Sequence, residues 1–390
     1  MKSSRKLTTL ANTLFWFNGI VCLLPGVVLI HIAGSFQVDT HIIGYIYTLF
    51  TLGNITAVQC NGRLLEKTDI RLQLLLVAAL VAASIIGLAS VGSLPVFAFC
   101  VFGLGVGNGF FSSTASYMIV HLYDNKDRSS RLSLLHFFFS IGAIISPLLS
   151  GALLANGIGW QSIYLLVLPL LACVLLLVWF TPVRLSKRQQ QHTDKNKSVK
   201  LTLSVYAIAV SLFCYMIAEG SFMFWGNTYF IEYLAVDATQ AGFLISVFWF
   251  FMAAGRILSG LILRRVNAVQ YILFCSGIAF AAFMVLVNNV DYFTVLAAVS
   301  LMGLGFSGLY ACILSYGTLQ LPYPSAALMS LYITFGSLGG LTASPFSSWL
   351  KHSFSLQTAL LISGSFMAVV FFLIGGTVLS AKRKEKYCQH

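Results

Sequence analysis

The chain has 390 residues, of which 58% are hydrophobic and only 9% are charged. An ordinary soluble domain carries about 25% charged residues, so this composition excludes a water-soluble surface and predicts a protein covered by lipid. The net charge of +12 would suit a nucleic-acid partner, but its distribution along the chain, described below, indicates a different cause.

Twelve apolar runs follow one another along the chain, each long enough to cross a bilayer. About 20 apolar residues span the hydrocarbon core as a helix. The runs predict an all-α membrane protein with twelve transmembrane helices, near residues 7–33, 42–62, 72–91, 95–121, 132–155, 161–181, 202–234, 240–263, 270–288, 293–315, 326–350 and 356–379.

The basic residues indicate how these helices are oriented. With twelve spans, the polar segments alternate between two sides, and all of the 23 Lys and Arg residues except Lys351 fall in segments on one side. Positively charged segments stay in the cytoplasm, so both termini are expected there. We therefore attribute the net charge to membrane orientation, with no nucleic-acid partner, and expect a multi-pass protein of a bacterial-type inner membrane.

An internal repeat divides the chain into two halves. The segment "HFFFSIGAIISP" (136–147) aligns with "TFGSLGGLTASP" (334–345) at an offset of 198 residues, and "GRLLEK" (62–67) with "GLILRR" (260–265) at the same offset. A charged, Gln-rich stretch between them is typical of a mobile linker. We predict an N-terminal six-helix half (1–181), a cytoplasmic linker (182–200) and a C-terminal six-helix half with a short basic tail (201–390).

This plan of two pseudo-symmetric six-helix halves resembles the major facilitator superfamily. The loop "GRLLEKTDIR" is similar to the superfamily's signature between spans 2 and 3, although Asp69 stands where the family usually has Gly. The resemblance implies a gating role for this loop and for its counterpart after span 8, through Gly62, Glu66, Lys67, Arg71, Arg264 and Arg265. A loop that serves only orientation is the alternative.

Two helices resemble a narrower group, the fucose-permease-like sugar/proton symporters. "SRLSLLHFFFSIGAIISPLL" and "AEGSFMFWGNTYF" carry the His of span 5 and the Glu, Trp and Tyr of span 7 that are common in that group. The whole chain is also similar to TsgA-type transporters. Two carboxylates usual in the sugar permeases are missing, since "GIVCLLP" has none and Asn108 stands in place of the second.

Glu219 is the only acidic residue well inside an apolar run. An ionised Glu at the centre of a bilayer costs roughly 2.5–3.5 kcal/mol on insertion scales. Desolvation favours its neutral form, which suits a group that takes up and releases a proton. We predict proton coupling through Glu219, with His136 as a second titratable candidate; a structural hydrogen bond is the alternative for each.

Neutral polar and aromatic groups at membrane depth are candidates for binding the substrate. Asn offers both donors and acceptors to a hydroxylated ligand, and aromatic rings stack on sugars, although packing between helices explains either type equally well. The candidates are Asn18, Asn108, Trp225, Asn227, Tyr229, Trp249 and Tyr310.

Together these features predict a secondary active transporter of a small polar organic solute, such as a sugar, which works by alternating access and is coupled to protons. Proton-driven efflux of amphipathic compounds is the alternative, because the many Phe residues would suit an apolar substrate cavity. No paired carboxylates, metal cluster or nucleophile–base spacing occurs at membrane depth, which argues against an enzyme. The eight Cys form no CxxC. We expect no cofactor, no metal, and a monomer in the bilayer.

Overall fold

The computed structural model describes residues 2–90, 92–123, 125–181, 202–320 and 326–387, and every regular element in these ranges is an α-helix. The helices are α1 (Lys2–Phe36), α2 (Thr40–Lys67), α3 (Ile70–Ser90), α4 (Leu94–Leu122), α5 (Asn125–Ala155), α6 (Trp160–Leu165), α7 (Val167–Phe180), α8 (Leu203–Tyr233), α9 (Ala238–Ile262), α10 (Ala268–Val287), α11 (Tyr292–Phe306), α12 (Leu309–Thr318), α13 (Ala326–Ser353) and α14 (Leu356–Tyr387).

Within the described ranges, these helices form the twelve predicted spans. Helices α6 and α7 make one interrupted span, and α11 and α12 make another. Eleven of the spans are long and apolar enough to cross a membrane by length and composition alone. The remaining long helix, α13, contains many Gly, Ser and Thr residues, which lower its mean hydropathy. The prediction of an all-α, twelve-span fold is confirmed.

The outer surfaces of the helices carry large apolar side chains, as expected for contact with lipid. Phe99, Phe274, Phe293 and Phe372 are each at least two-thirds exposed. Many of the Ser, Thr and Asn side chains, by contrast, are buried between helices. Buried polar groups usually have hydrogen-bond partners, so polar residues join helices within a largely apolar core.

Short polar residues set several helix starts. Asp39 begins α2 by accepting from the backbone N–H of His41 at 2.9 Å, and Asn267 begins α10 in the same way through Val269. Asp291 caps α11 by accepting from the backbone N–H of Thr294 at 2.8 Å and from its hydroxyl at 2.7 Å. These bonds favour the ionised carboxylate and hold the pKa of Asp291 below its usual range.

The chain divides into two compact units. The first comprises Met1–Gln189 with Phe230–Ser246, and the second comprises Gln190–Tyr229 with Val247–His390. The last turn of α8 and the first part of α9 thus cluster with the first unit. The predicted halves of 1–181 and 201–390 stay a prediction, and the predicted linker, 182–200, lies outside the described residues.

Each unit contains a crossing at which two helix backbones touch. In the first unit, a Cβ built on Gly105 of α4 would overlap the backbone of Phe50 in α2. In the second unit, a Cβ on Gly303 of α11 would overlap the backbone carbonyl of Phe248 in α9. The second pair repeats the first at the 198-residue offset found in the sequence. Close backbone approach at small residues is a common way to associate helices in lipid.

Candidate functional site

Glu219 lies near the middle of α8, and only 8% of its surface is exposed. The hydroxyl of Tyr215, one turn earlier, lies 3.1 Å from Glu219 Oε1 and 3.3 Å from the backbone carbonyl oxygen of Phe306 in α11. A tyrosine hydroxyl has one hydrogen to donate. The carboxylate and the carbonyl therefore compete for, or share, this one hydrogen.

Arg256 of α9 faces the same group. It interacts electrostatically with both Glu219 and Tyr215, and its Nη2 lies 3.2 Å from Met252 Sδ. The neighbouring Gly255 packs against Ser307, the residue after Phe306, which fixes α9 at the level of the Tyr215 hydrogen bond. The sequence places Arg256 within the apolar run 240–263, but our charge assignment counted it with the basic segment that follows span 8. The structure places it within α9, one and a half turns before the helix ends.

A break in the tenth span lies beside this cluster. Gly308 has a left-handed backbone (φ 68°) and separates α11 from α12. The helix releases the carbonyl of Ser307, which accepts from the hydroxyl of Tyr271 at 2.9 Å. Because residues with a side chain rarely adopt this conformation, glycine is favoured at the break. The sequence analysis missed it, although the Gly-rich segment "GLGFSG" carries the signal.

Tyr310, a predicted substrate-binding residue, begins the half-helix after the break. Its ring lies 5.9 Å from that of Tyr215, centroid to centroid, it interacts electrostatically with Glu219, and it is partly exposed. The structure thus brings Tyr310 together with Glu219. We name the group formed by Tyr215, Glu219, Arg256 and Tyr310 the α8–α9 charge cluster.

The other predicted residues of the second unit are more deeply enclosed. Trp225, Asn227, Tyr229 and Trp249 are each no more than 2% exposed. Trp225 Nε1 donates to Ser347 Oγ at 3.0 Å, and the Tyr229 hydroxyl lies 3.3 Å from the carbonyl oxygen of Val287. These contacts join helices to one another. A role in substrate binding stays a prediction for these four residues.

The predicted asparagines of the first unit form one network. Asn18 of α1 donates from Nδ2 to the carbonyl oxygen of Asn108 in α4 at 3.0 Å. Asn54 of α2, which the sequence analysis did not select, donates from Nδ2 to Asn108 Oδ1 at 2.6 Å. The Nδ2 donor of Asn108 is buried and has no hydrogen-bond partner among the described residues. The hydrogen bonds from Asn18 and Asn54 therefore hold Asn108 in place, while its Nδ2 donor has no partner among the described residues.

His136 lies in α5, in the first unit. Its side chain is exposed, and its ring meets Phe15 of α1 edge-on at 5.4 Å. Its backbone carbonyl accepts from Ser140 Oγ at 2.9 Å. Glu219 belongs to the second unit, and the predicted coupling role of His136 stays a prediction.

The predicted gating residues cluster near helix ends. Gly62, Glu66 and Lys67 belong to the last turns of α2; the side chains of Glu66 and Lys67 lie outside the described part. Arg264 and Arg265 are exposed in the turn after α9.

Arg71 has a defined structural contact. It donates from Nη2 to the carbonyl oxygen of Trp179 at 2.8 Å, and its guanidinium lies 4.9 Å from the centroid of the Trp179 ring. Trp179 lies in the last turn of α7, so Arg71 ties α3 to that helix end.

Within the described residues, no group of three or more His, Cys, Asp or Glu side chains is placed to hold a metal ion. The α8–α9 charge cluster thus combines one carboxyl, at Glu219, with the guanidinium of Arg256, which keeps its charge.

Comparison with known proteins agrees with the fold. The sequence matches the family model of the Major Facilitator Superfamily over residues 8–343. It is 29% identical to a TsgA homolog of Erwinia tasmaniensis over 94% of this chain and 93% of that protein. The structure is similar to that of a D-xylose–proton symporter, with a TM-score of 0.75, 13% identity and coverage of 95% of this chain and 97% of that one.

A second solved structure, the fucose:proton symporter of E. coli, has a TM-score of 0.64 and 19% identity, over 95% of this chain and 98% of that one. The expected resemblance to TsgA-type proteins and to fucose permeases is confirmed. The chain is a multi-pass integral membrane protein with bacterial relatives, which is consistent with an inner-membrane location. By its sequence match and its fold, the chain belongs to the Major Facilitator Superfamily.

Proposed function

We propose that this transporter moves a small polar organic solute by alternating access, that the movement is coupled to protons, and that Glu219 carries the proton. The observation behind the proposal is the single hydroxyl hydrogen of Tyr215, which lies between Glu219 and the carbonyl of Phe306. The names of the fucose and xylose symporters with the same fold support a proton-coupled solute, and both termini are proposed to face the cytoplasm.

The coupling follows from what each protonation state does to its neighbours. An ionised Glu219 accepts from Tyr215 and attracts Arg256. A protonated Glu219 is a weaker acceptor than the carboxylate, which shifts the hydrogen of Tyr215 towards the carbonyl of Phe306, next to the break at Gly308. A proton thereby changes the hydrogen bonding between α8 and α11, and the two arrangements can favour different conformations.

The test is the substitution Glu219→Gln, which keeps the shape of the side chain and removes its titration. A thermal-shift screen first identifies a stabilising solute, beginning with fucose and xylose, because ligand binding to the folded state raises the apparent stability. Flux of that solute is then measured in proteoliposomes. We expect the variant to exchange solute down its own gradient but not to accumulate it when a pH gradient is imposed.

Glu232→Gln is the matched control, since it makes the same charge change near the end of α8 and should accumulate solute as the wild type does. Proton-driven accumulation by Glu219→Gln at the wild-type level would show that the carboxyl is structural.

A further inference from the structure

Three asparagines, one each from α1, α2 and α4, meet inside the first unit. Asn18 donates from Nδ2 to the backbone carbonyl oxygen of Asn108 at 3.0 Å, and Asn54 donates from Nδ2 to Asn108 Oδ1 at 2.6 Å. Asn18 is 2% exposed and Asn108 is 9% exposed, whereas Asn54 is only partly buried. Asn108 is thus enclosed, and its side-chain amide is bonded to a neighbour that is accessible.

Two amide atoms of this Asn54–Asn108 pair are left over. Asn108 Nδ2 is buried and has no hydrogen-bond partner among the described residues. Asn54 Oδ1 accepts no hydrogen bond from the same part of the chain. Buried polar groups usually have a partner, so the structure leaves one amide donor and one amide acceptor of the pair for a group from outside the protein.

This balance of one donor and one acceptor does not depend on how the two amides are turned. The oxygen and nitrogen ends of a side-chain amide have nearly the same shape. Turning both amides over reverses the hydrogen bond between them, so that the unused donor moves to Asn54 and the unused acceptor moves to Asn108. In either arrangement the pair offers one donor and one acceptor.

The location of the pair gives a solute access to it and fixes its geometry. Asn54 lies within a membrane span, and polar side chains at that depth almost always face the interior of the bundle or a water-filled cavity. A Cβ built on Gly109 of α4 would overlap the backbone carbonyl of Asn54 in α2. The two helices therefore touch beside the amides, and groups that are fixed in advance lose less free energy on binding a ligand.

A hydroxyl group both donates and accepts, whereas a carboxylate or an ether only accepts and an ammonium group only donates. From this match we propose that the solute is hydroxylated, and that its hydroxyl groups bind Asn108 and Asn54. The inference rests on the proposed function, narrows its substrate class to polyols and sugars, and adds Asn54 to the site. Because neither amide titrates, the preference of the pair for a hydroxyl group should not change with pH.

The test measures how strongly the protein prefers a hydroxyl group over the hydrogen that replaces it. Thermal unfolding of the purified full-length protein is recorded over concentration series of xylose, fucose, glucitol and glycerol, and then of the monodeoxy derivatives of each compound that stabilises it. We expect at least one of the four to stabilise the wild type. One of its monodeoxy derivatives should bind about tenfold or more weakly, because the missing hydroxyl leaves amide groups unpaired.

Three variants localise this preference. Asn108→Leu and Asn54→Leu each remove one amide and should reduce the preference to roughly twofold or less. Asn61→Leu is the matched control: Asn61 also joins α2 to α4, through Thr114 at 2.8 Å, and also has an unpaired amide oxygen, but it is fully enclosed. This control should keep the wild-type preference.

The measured quantity is a ratio of two affinities for one variant, so a loss of stability alone does not change it. Asn54 is partly exposed, and its variant keeps the test valid if Asn108→Leu does not fold.

The inference is overturned if none of the four compounds stabilises the wild type, if every monodeoxy derivative binds as tightly as its parent, or if Asn54→Leu keeps the full preference. Failure of this inference leaves the proposed function intact wherever a solute without hydroxyl groups is accumulated with protons and Glu219→Gln abolishes that accumulation. Failure of the proposed function is a separate result, in which a hydroxylated compound binds through the Asn54–Asn108 pair but Glu219→Gln still accumulates it when a pH gradient is imposed.

Discussion

The electrostatic interaction between Glu219 and Arg256 can be tested by a double-mutant cycle on stability, without any knowledge of the solute. Glu219→Gln leaves the guanidinium charged and without its carboxylate at every pH. Removing one partner of a fully buried pair costs about 3–5 kcal/mol; because Arg256 is partly exposed, we expect a cost of about 1–3 kcal/mol for this variant.

Arg256→Gln should behave differently, because a lone carboxyl can neutralise itself by binding a proton. This variant is expected to approach wild-type stability at acidic pH and to lose stability as the pH rises, since Glu219 must then ionise without its partner. The double variant carries neither charge and should be more stable than the sum of the single losses predicts, with an interaction energy of about 0.5–3 kcal/mol.

Unfolding of the wild type, the two single variants and the double variant is followed in detergent micelles by tryptophan fluorescence across a range of pH. It gives the free energy of unfolding of each protein in the cycle. A cycle of Glu232→Gln and Arg5→Gln is the control, and its two effects should add. If the losses at Glu219 and Arg256 also add to within about 0.5 kcal/mol, the two groups are not coupled, and Arg256 does not influence the carboxyl of Glu219.

Three further predictions concern the fold, the orientation and the gate. Gly105→Ala should destabilise the protein by about 1–3 kcal/mol, because the added Cβ overlaps the backbone of Phe50. Gly375→Ala is the control: its added Cβ meets only a side chain at 3.9 Å, so it should be neutral or stabilising in the same unfolding assay. Reporter fusions at Gln190 and at the C-terminus should be active only with cytoplasmic reporters; periplasmic activity at either site would contradict the proposed orientation. Glu66→Ala should lower solute flux while abundance in the membrane stays near that of the wild type, and a joint loss of both would indicate a structural loop.

The spans could be predicted from the sequence because lipid imposes a simple requirement, a run of apolar residues of fixed length. Glu219 could be found for the same reason, since a carboxylate in such a run stands out. Arg256 could not be placed, because an arginine near the end of a run is expected to extend its long side chain to the membrane surface. The packing of Gly255 against Ser307 shows that one face of α9 lies against the tenth span at this level.

The helix break at Gly308 was missed for a related reason, although several glycines precede it. The apolar run continues through it, and hydropathy does not register backbone conformation. The predicted aromatic residues show a further limit of the sequence, in which Trp225 and Tyr310 are equally plausible contacts for a solute. In the structure, Trp225 is fully enclosed and its N–H is bonded to Ser347, whereas Tyr310 lies partly exposed beside the charge cluster.

The contact of Gly105 with the backbone of Phe50 limits how the first unit can deform. Helices separated by a layer of side chains can slide past each other by small rotamer changes. Here the two backbones touch, so there is no such layer to rearrange, and α2 and α4 must move as one rigid body. Deformation of this unit is therefore directed to contacts that can break and re-form at low cost, such as the hydrogen bond between Arg71 and the carbonyl of Trp179.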